Sequence, residues 1–267
     1  MRIKLNIKAI SFSFCLVLTF VIAHLQNNVR AETHDDAVSF YKKGNAYFKE
    51  GQINKAISEY DKAIELNPEF TYAYAQRGYT YQLKKGEFDK AISDYNRAIE
   101  LNPDVAFFYY FRGNAYYVQE KFDDAISDYS KAIDLYPEFA VAYQNRGSAY
   151  FSDGNYIKAI SDYDRAIELK PENAVSYSSR GNAYFQEGLV ENAVADYNMA
   201  IELDPEISNT DDNNKVDCRR IAPTGSKLKR KICLTKAQWI VKEKGHHIPN
   251  NKAWSYEDYL VNIMVYK

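Results

Sequence analysis

Apolar residues recur along most of this chain at intervals of three and four positions, which is the spacing of one face of an α-helix. Residues 106–139 contain two such groups in succession. The first group is Tyr109, Gly113 and Tyr116, and the second is Ala125, Tyr129, Ala132 and Ile133. This stretch is therefore predicted to form two helices joined by a turn.

The same pattern occurs five times in succession, with a period of 34 residues and one interval of 35. Each copy has a glycine in its first helix, at Gly44, Gly78, Gly113, Gly147 and Gly181. Each copy ends with a proline, at Pro68, Pro103, Pro137, Pro171 and Pro205. A fixed period of this length is typical of stacked helical repeats, in which each copy buries its apolar face against its neighbours.

Two sets of glycines are expected to have different roles. A glycine inside a helix costs roughly 1 kcal/mol relative to alanine, so the mid-helix glycines are expected to permit close contact with a small residue of the second helix, such as Ala125. Four other glycines are expected to adopt the left-handed conformation that ends a helix. These are Gly51, Gly86, Gly154 and Gly188. The third copy has Glu120 there instead, which predicts a less favourable turn.

The repeats resemble the tetratricopeptide repeat family. In one copy the family's aromatic, Gly, Tyr, Ala, Tyr, Ala and Pro positions are occupied by Tyr109, Gly113, Tyr116, Ala125, Tyr129, Ala132 and Pro137. The resemblance covers residues 37–207 and implies an all-α fold, a right-handed solenoid of five helix-turn-helix repeats. The array would occupy residues 32–207, with repeats at 37–70, 71–105, 106–139, 140–173 and 174–207.

In this family the first helix of each repeat lines a concave groove, which here would be rich in tyrosine and asparagine. The implied groove residues are Tyr41, Asn45, Tyr72, Tyr79, Tyr110, Asn114, Tyr117 and Asn182, with phenylalanines such as Phe151 and Phe185. Tyrosines supply contact area and hydroxyls, and asparagines can pair with backbone amides. We expect a non-catalytic scaffold that binds a protein or peptide partner. The alternative is that many of these aromatic residues pack between repeats, because large apolar residues on helices are usually core.

Some members of the family hold a C-terminal carboxylate in a clamp of lysine, asparagine and arginine side chains. Asn114 and Asn145 occupy the two asparagine positions of that clamp. Its basic positions are occupied instead by Tyr110, Val175 and Ser179. The resemblance therefore does not extend to the clamp.

Arginine recurs just before the mid-helix glycine, and aspartate recurs in the second helix. The arginines are Arg77, Arg112, Arg146 and Arg180, and the aspartates are Asp94, Asp128, Asp162 and Asp196. Matching rows of opposite charge predict an ion pair within each repeat. A row of ligand-binding arginines is the alternative.

The net charge of −2 is unevenly distributed. Residues 32–207 carry −12 and residues 208–267 carry +6. The acidic array argues against nucleic acid as its ligand. The sequence has no Gly-rich phosphate loop, no metal-spaced histidine motif and no nucleophile in a recognisable turn. We therefore predict no enzyme, no cofactor and no metal site.

The N-terminal segment has the pattern of an export signal. Basic residues precede an apolar run from Ala9 to Ala23, and Val29-Arg30-Ala31 fits a small-x-Ala cleavage site. Residues 1–31 are therefore predicted to be a signal peptide that is cleaved near Ala31, leaving a periplasmic or extracellular protein. An uncleaved anchor is the alternative, although the run is shorter than the about 20 residues that span a bilayer.

Residues 208–217 are rich in Asn, Asp and Thr and are predicted to be a linker. In the small region 218–267, two cysteines bracket a Thr-Gly-Ser turn and are followed by Thr235 and Trp239. This arrangement resembles a short segment of exported bacterial proteins. In an oxidising compartment Cys218 and Cys233 are predicted to form a disulfide. Zinc binding, assisted by His246 and His247, is the alternative.

The C-terminal region is also predicted to contain short helices. Thr235 and Gln238 form a capping box for one helix, and Ser255 begins another whose apolar face would cover the end of the array. The loop between the cysteines is basic, which suggests an alternative function. In that alternative the protein is an envelope-associated accessory factor whose tail binds anionic envelope components. A solvated basic hairpin without a ligand is the remaining interpretation of the loop.

Overall fold

The computed structural model describes residues 35–84, 86–205, 216–221, 230–235 and 242. Ten helices lie within residues 35–205, and Lys242 is also helical. They are α1 (35–49), α2 (Ile53–Leu66), α3 (Thr71–Leu83), α4 (Phe88–Leu101), α5 (Ala106–Val118), α6 (Phe122–Leu135), α7 (Ala140–Ser152), α8 (Tyr156–Leu169), α9 (Ala174–Gln186) and α10 (Val190–Leu203). Two strands follow, β1 (Val216–Ile221) and β2 (Arg230–Thr235). The helical nature of the repeats is thus as the periodicity predicts.

The chain divides into two compact units after Asp104. The first unit contains α1 to α4, and within it α3 packs against both α2 and α4. The second unit contains α5 to α10 and the two strands, and within it each helix packs against the next one along the chain. In addition α7 contacts both α5 and α9. These three helices therefore lie side by side, and we call the surface that they form the A face.

A tyrosine ring of each second helix lies against the glycine of the first. A Cβ atom added to Gly113 would lie 2.9 Å from Cε1 of Tyr129, and one added to Gly147 would lie 2.8 Å from Cε1 of Tyr163. The nearest atoms thus belong to the ring and not to the expected alanine, although at Gly78 the backbone oxygen of Ala91, the equivalent of Ala125, lies 3.2 Å from the added Cβ. The five equivalent tyrosines, Tyr60, Tyr95, Tyr129, Tyr163 and Tyr197, are buried.

The turns between paired helices have the predicted backbone. Gly51, Gly86, Gly154 and Gly188 have φ angles between 72° and 84°, in the left-handed region. Glu120 occupies the same position in the third pair with a φ of 60°. A residue with a Cβ atom is disfavoured in this conformation, so this turn carries backbone strain that the four glycine turns do not have.

The described part of the C-terminal region contains a β-hairpin, which precedes the predicted short helices. Of the helix predicted to follow Thr235, the structure describes Lys242, which is helical. β1 and β2 pair antiparallel, with Cys218 opposite Cys233. Thr235, the expected helix cap, is the last residue of β2. β2 has apolar residues at Ile232 and Leu234, a period of two that is typical of a strand. The predicted linker 208–217 ends inside β1, and the predicted helix from Ser255 lies outside the described residues.

The predicted signal peptide also lies outside the described residues. Among the residues that the structure describes, no helix is both long and apolar enough to cross a bilayer.

Candidate binding site

The recurrent arginines bind the recurrent aspartates, as the ion-pair interpretation predicts. In each of four helix pairs the guanidinium donates two parallel hydrogen bonds to one carboxylate, over 2.6–2.8 Å. Burial raises the pKa of Asp128 above its ordinary value, and the hydrogen bond from Arg112 opposes that rise. These guanidiniums are used within the fold, which favours a structural role over ligand binding.

Most of the predicted groove residues are buried. The side chains of Tyr41, Tyr79, Tyr110, Asn114 and Asn182 are at most 8% exposed. Asn45, Tyr72 and Tyr117 are half-buried. Buried side chains offer a partner little surface. A partner on this side of the helices would therefore contact mainly Asn45, Tyr72 and Tyr117.

The asparagines of the predicted groove accept hydrogen bonds from the buried tyrosines. Tyr60 donates to Oδ1 of Asn45 over 2.8 Å, Tyr129 donates to Asn114 over 2.7 Å, and Tyr197 donates to Asn182 over 2.9 Å. Each bond joins the two helices of one pair. Because these carboxamide oxygens already accept an internal hydrogen bond, they are less available to a peptide backbone.

Asn114 and Asn145, which would belong to a carboxylate clamp, also bind each other. Nδ2 of Asn145 donates to Oδ1 of Asn114 over 2.9 Å and to the hydroxyl of Tyr110 over 3.2 Å. Tyr110 in turn packs against the ring of Phe139, with ring centres 5.0 Å apart. This network joins α5 to α7 and is part of the packing between consecutive helix pairs.

Two helix pairs lack this asparagine. In the second pair Tyr79 occupies its position, and Tyr95 donates instead to Oε1 of Gln82 over 2.9 Å. In the fourth pair serine replaces asparagine. The hydroxyl of Tyr163 donates to Oγ of Ser148 over 3.2 Å, which is longer than the three bonds to asparagine. Serine is also shorter than asparagine. A cleft of about 230 Å³ opens beside it on the A face. Its lining consists of Tyr117, Ser148, Phe151, Ser152, Tyr156 and Tyr163.

The cleft combines aromatic rings with hydroxyl groups. The hydroxyls of Tyr117 and Ser152 are 3.1 Å apart and share a hydrogen bond across its rim. Phe151 and Tyr156 pack edge to face, with ring centres 5.1 Å apart. Burial raises the pKa of Tyr163 well above its ordinary value, so its phenol keeps its proton and remains a donor. The cleft can therefore bind a group that is partly apolar and partly hydrogen bonding.

The groove predicted from the sequence includes Tyr117 and Phe151 but not the other four residues of this cleft. Ser148 is recognisable only as a departure from the asparagine that the third and fifth pairs have at the same position. Tyr156 and Tyr163 belong to a second helix, and the family resemblance assigns only first helices to the groove. The structure joins residues of both helices in one site.

The A face is covered at its last helix by the C-terminal region. Leu234 of β2 is fully buried in a cluster with Phe185, Tyr197 and Ala200. The ammonium group of Lys242 lies 4.8 Å from the centre of the Phe185 ring. Phe185 is consequently buried, whereas Tyr117 and Phe151, its equivalents in the two preceding pairs, are partly exposed. The open part of the A face is therefore at α5 and α7.

Family models match the repeat region. The TPR repeat model matches residues 44–84 and 147–188. Models of the tetratricopeptide repeat match residues 79–140, 129–161 and 174–207. No curated protein sequence matches the chain.

Several solved structures resemble this fold. A crystal structure of MamA is 30% identical, with a TM-score of 0.58, and the match covers 61% of this chain and 95% of MamA. A second MamA crystal structure is 28% identical, with a TM-score of 0.59 over 64% of this chain and 93% of MamA. YrrB, described as a TPR protein with an unusual peptide-binding site, is 22% identical, with a TM-score of 0.57 over 70% of this chain and 93% of YrrB. At that identity the likeness to YrrB shows the fold alone.

Proposed function

This chain belongs to the tetratricopeptide repeat family, and from that premise we propose that it is a non-catalytic scaffold of five repeats that binds a protein or peptide partner. The observation that carries the proposal is the cleft beside Ser148 on the A face. We place the partner on the exposed part of that face, over α5 and α7.

The size of the cleft favours one side chain of a longer ligand. Sites for whole small molecules usually enclose about 300–1,000 Å³, and this cleft is smaller, at about 230 Å³. Tyrosine and serine hydroxyls at its rim supply hydrogen bonds, and the rings of Phe151 and Tyr156 supply apolar contact. A peptide that lies along α7 would place one of its side chains in the cleft.

Site-specific photo-crosslinking tests this proposal. Ser152 is exposed at the rim of the cleft, and Ile157 is 71% exposed on α8. Each is replaced with p-benzoylphenylalanine in the full chain, which is expressed in its native cell and irradiated. We expect a discrete cross-linked product from position 152 and a much weaker one from position 157. Equal labelling at both positions, or none at position 152, would exclude the A face as the partner surface.

We also propose that the protein is exported and that Cys218 and Cys233 form a disulfide. The strand register supports the disulfide, because opposed residues of antiparallel strands have Cα atoms about 4.5–5.5 Å apart, within the range that a disulfide spans. N-terminal sequencing of the native protein is expected to begin near Glu32. Alkylation of the freshly isolated protein is expected to label neither cysteine until a reductant is added, and free thiols would favour the zinc alternative.

The basic hairpin favours a second candidate function, association with anionic envelope components. The register places Arg220 opposite Lys231 and Ile221 opposite Arg230, so basic residues concentrate at one end of the hairpin. We expect the full chain to sediment with phosphatidylglycerol vesicles, to remain in solution with phosphatidylcholine vesicles, and to be released by high salt. Equal sedimentation with both lipids would contradict this function.

A further inference from the structure

In most helix pairs the buried tyrosine hydroxyl of the second helix donates a hydrogen bond to a carboxamide oxygen of the first helix. In three helix pairs the buried tyrosine hydroxyl finds that oxygen on an asparagine of the first helix, over 2.7–2.9 Å. In the fourth pair the hydroxyl of Tyr163 is hydrogen bonded instead to the hydroxyls of Ser148, at 3.2 Å, and of Ser179. A carboxamide is therefore missing beside Tyr163, where the cleft opens.

The cleft beside Ser148 has the chemistry to accept such a carboxamide from outside. Tyr163 supplies a donor for the carboxamide oxygen, and the oxygens of Ser148, Ser152 and Tyr117 are acceptors for its NH₂ group. The rings of Phe151 and Tyr156 would contact the methylene groups that precede the amide. All of these groups lie in the lining of one cleft.

Other side chains satisfy this lining less well. No lining residue is a cation, so a carboxylate would lose water without gaining an opposite charge. The hydroxyls of Tyr117 and Ser152 share one hydrogen bond, which uses one of their two protons. A leucine-like side chain would cover the other proton and return no hydrogen bond to it, and a buried donor without a partner is costly. A neutral group that both donates and accepts avoids both penalties.

We propose that the cleft beside Ser148 is a subsite for a glutamine or asparagine side chain of a peptide bound to the A face. This inference rests on the proposed scaffold function and specifies the partner's chemistry at one position. The side-chain carboxamide takes the place that Asn114 and Asn182 occupy in the neighbouring helix pairs.

The test selects a phage-displayed library of random heptapeptides on the immobilised full chain and on its Ser148→Asn variant. Asparagine at position 148 supplies the missing carboxamide from within and fills the cleft, so the variant is expected to melt at the same or a higher temperature. We expect wild-type selections to enrich Gln or Asn at one position and Ser148→Asn selections to lose that enrichment. Replacing the enriched residue of the peptide with Leu or Glu is expected to weaken its binding to wild type by about tenfold.

The Tyr163→Phe variant keeps the ring and removes the donor. It is expected to bind the Gln and Leu peptides with nearly equal affinity, which also keeps the test decisive if Ser148→Asn fails to fold. Peptides that bind both wild type and Ser148→Asn without Gln or Asn enrichment would overturn the carboxamide subsite and leave the scaffold function standing. Failure to select any peptide on either protein would overturn both.

Discussion

Arg146 binds Asp162 through two parallel hydrogen bonds of 2.8 Å, from Nε to Oδ2 and from Nη2 to Oδ1. Its third nitrogen, Nη1, donates to Ser130 over 3.0 Å. The three residues lie on α7, α8 and α6, so one guanidinium connects both helices of its own pair to the preceding pair. Arg77 and Arg180 make the same kind of connection, to Asp61 and Asp164.

We expect Asp162→Asn to lower the free energy of unfolding by about 3 kcal/mol, because removing one partner leaves a largely buried charge uncompensated. Chemical denaturation of the full chain measures the loss. Glu168→Gln is the matched control, since Glu168 pairs with Arg165 on the surface, where both side chains are exposed. Exposed pairs contribute little, so the control is expected to leave stability unchanged. Equal losses in the two variants would contradict the role of burial.

Glu120→Gly is expected to stabilise the protein by roughly 1 kcal/mol, because a residue with a Cβ atom pays about that much in the left-handed conformation that Glu120 adopts. Gly154→Ala reverses the change at the equivalent turn and should cost a similar amount. No atom lies within 4 Å of the Cβ that this alanine would add, so the effect there is one of backbone conformation alone. Thermal melting checks both variants. A higher melting temperature for Glu120→Gly and a lower one for Gly154→Ala would support backbone strain at Glu120.

The features that recur with the repeat period can be predicted from the sequence. Those that depend on contacts between residues far apart in the sequence cannot. Each Arg–Asp pair recurs at a fixed spacing, so its regularity reveals it. The cleft arises because Tyr163 lies against Ser148, and spacing alone does not show that a small residue there leaves space. The burial of Tyr110 likewise requires the ring of Phe139, which lies 29 positions further along the chain, immediately before α7. The alternating pattern of β2 is short and adjoins a run of basic residues, so it does not stand out in the sequence.

Leu234→Ala is expected to destabilise the last helix pair. Leu234 is fully buried against Phe185 and Tyr197, and removing a buried leucine side chain typically costs 2–5 kcal/mol. Faster amide hydrogen exchange in α9 and α10, with little change in α5 and α6, is the expected result, because repeats are stabilised mainly by their nearest neighbours. Leu203→Ala, at an exposed position of α10, is the control and should change exchange much less. Uniformly faster exchange throughout α5 to α10 would show that Leu234 does not act as a local cap.

Tyr110→Ala and Tyr117→Ala are expected to separate packing from binding, although the sequence assigns both tyrosines to the groove. Tyr110 is 8% exposed and contacts the rings of Phe111 and Phe139. Its removal should cost about 3–5 kcal/mol, the usual loss for a buried aromatic residue, and lower the melting temperature markedly.

Tyr117 is half-buried at the rim of the cleft, where its hydroxyl meets Ser152. We expect Tyr117→Ala to change the melting temperature less and to reduce photo-crosslinking from position 152, because the partner loses an aromatic contact and a hydroxyl. The measurements are thermal melting and cross-link yield per folded molecule for both variants. If Tyr110→Ala melted like wild type but lost the cross-link, Tyr110 would be a contact residue after all, and the separation between buried network and open cleft would fail.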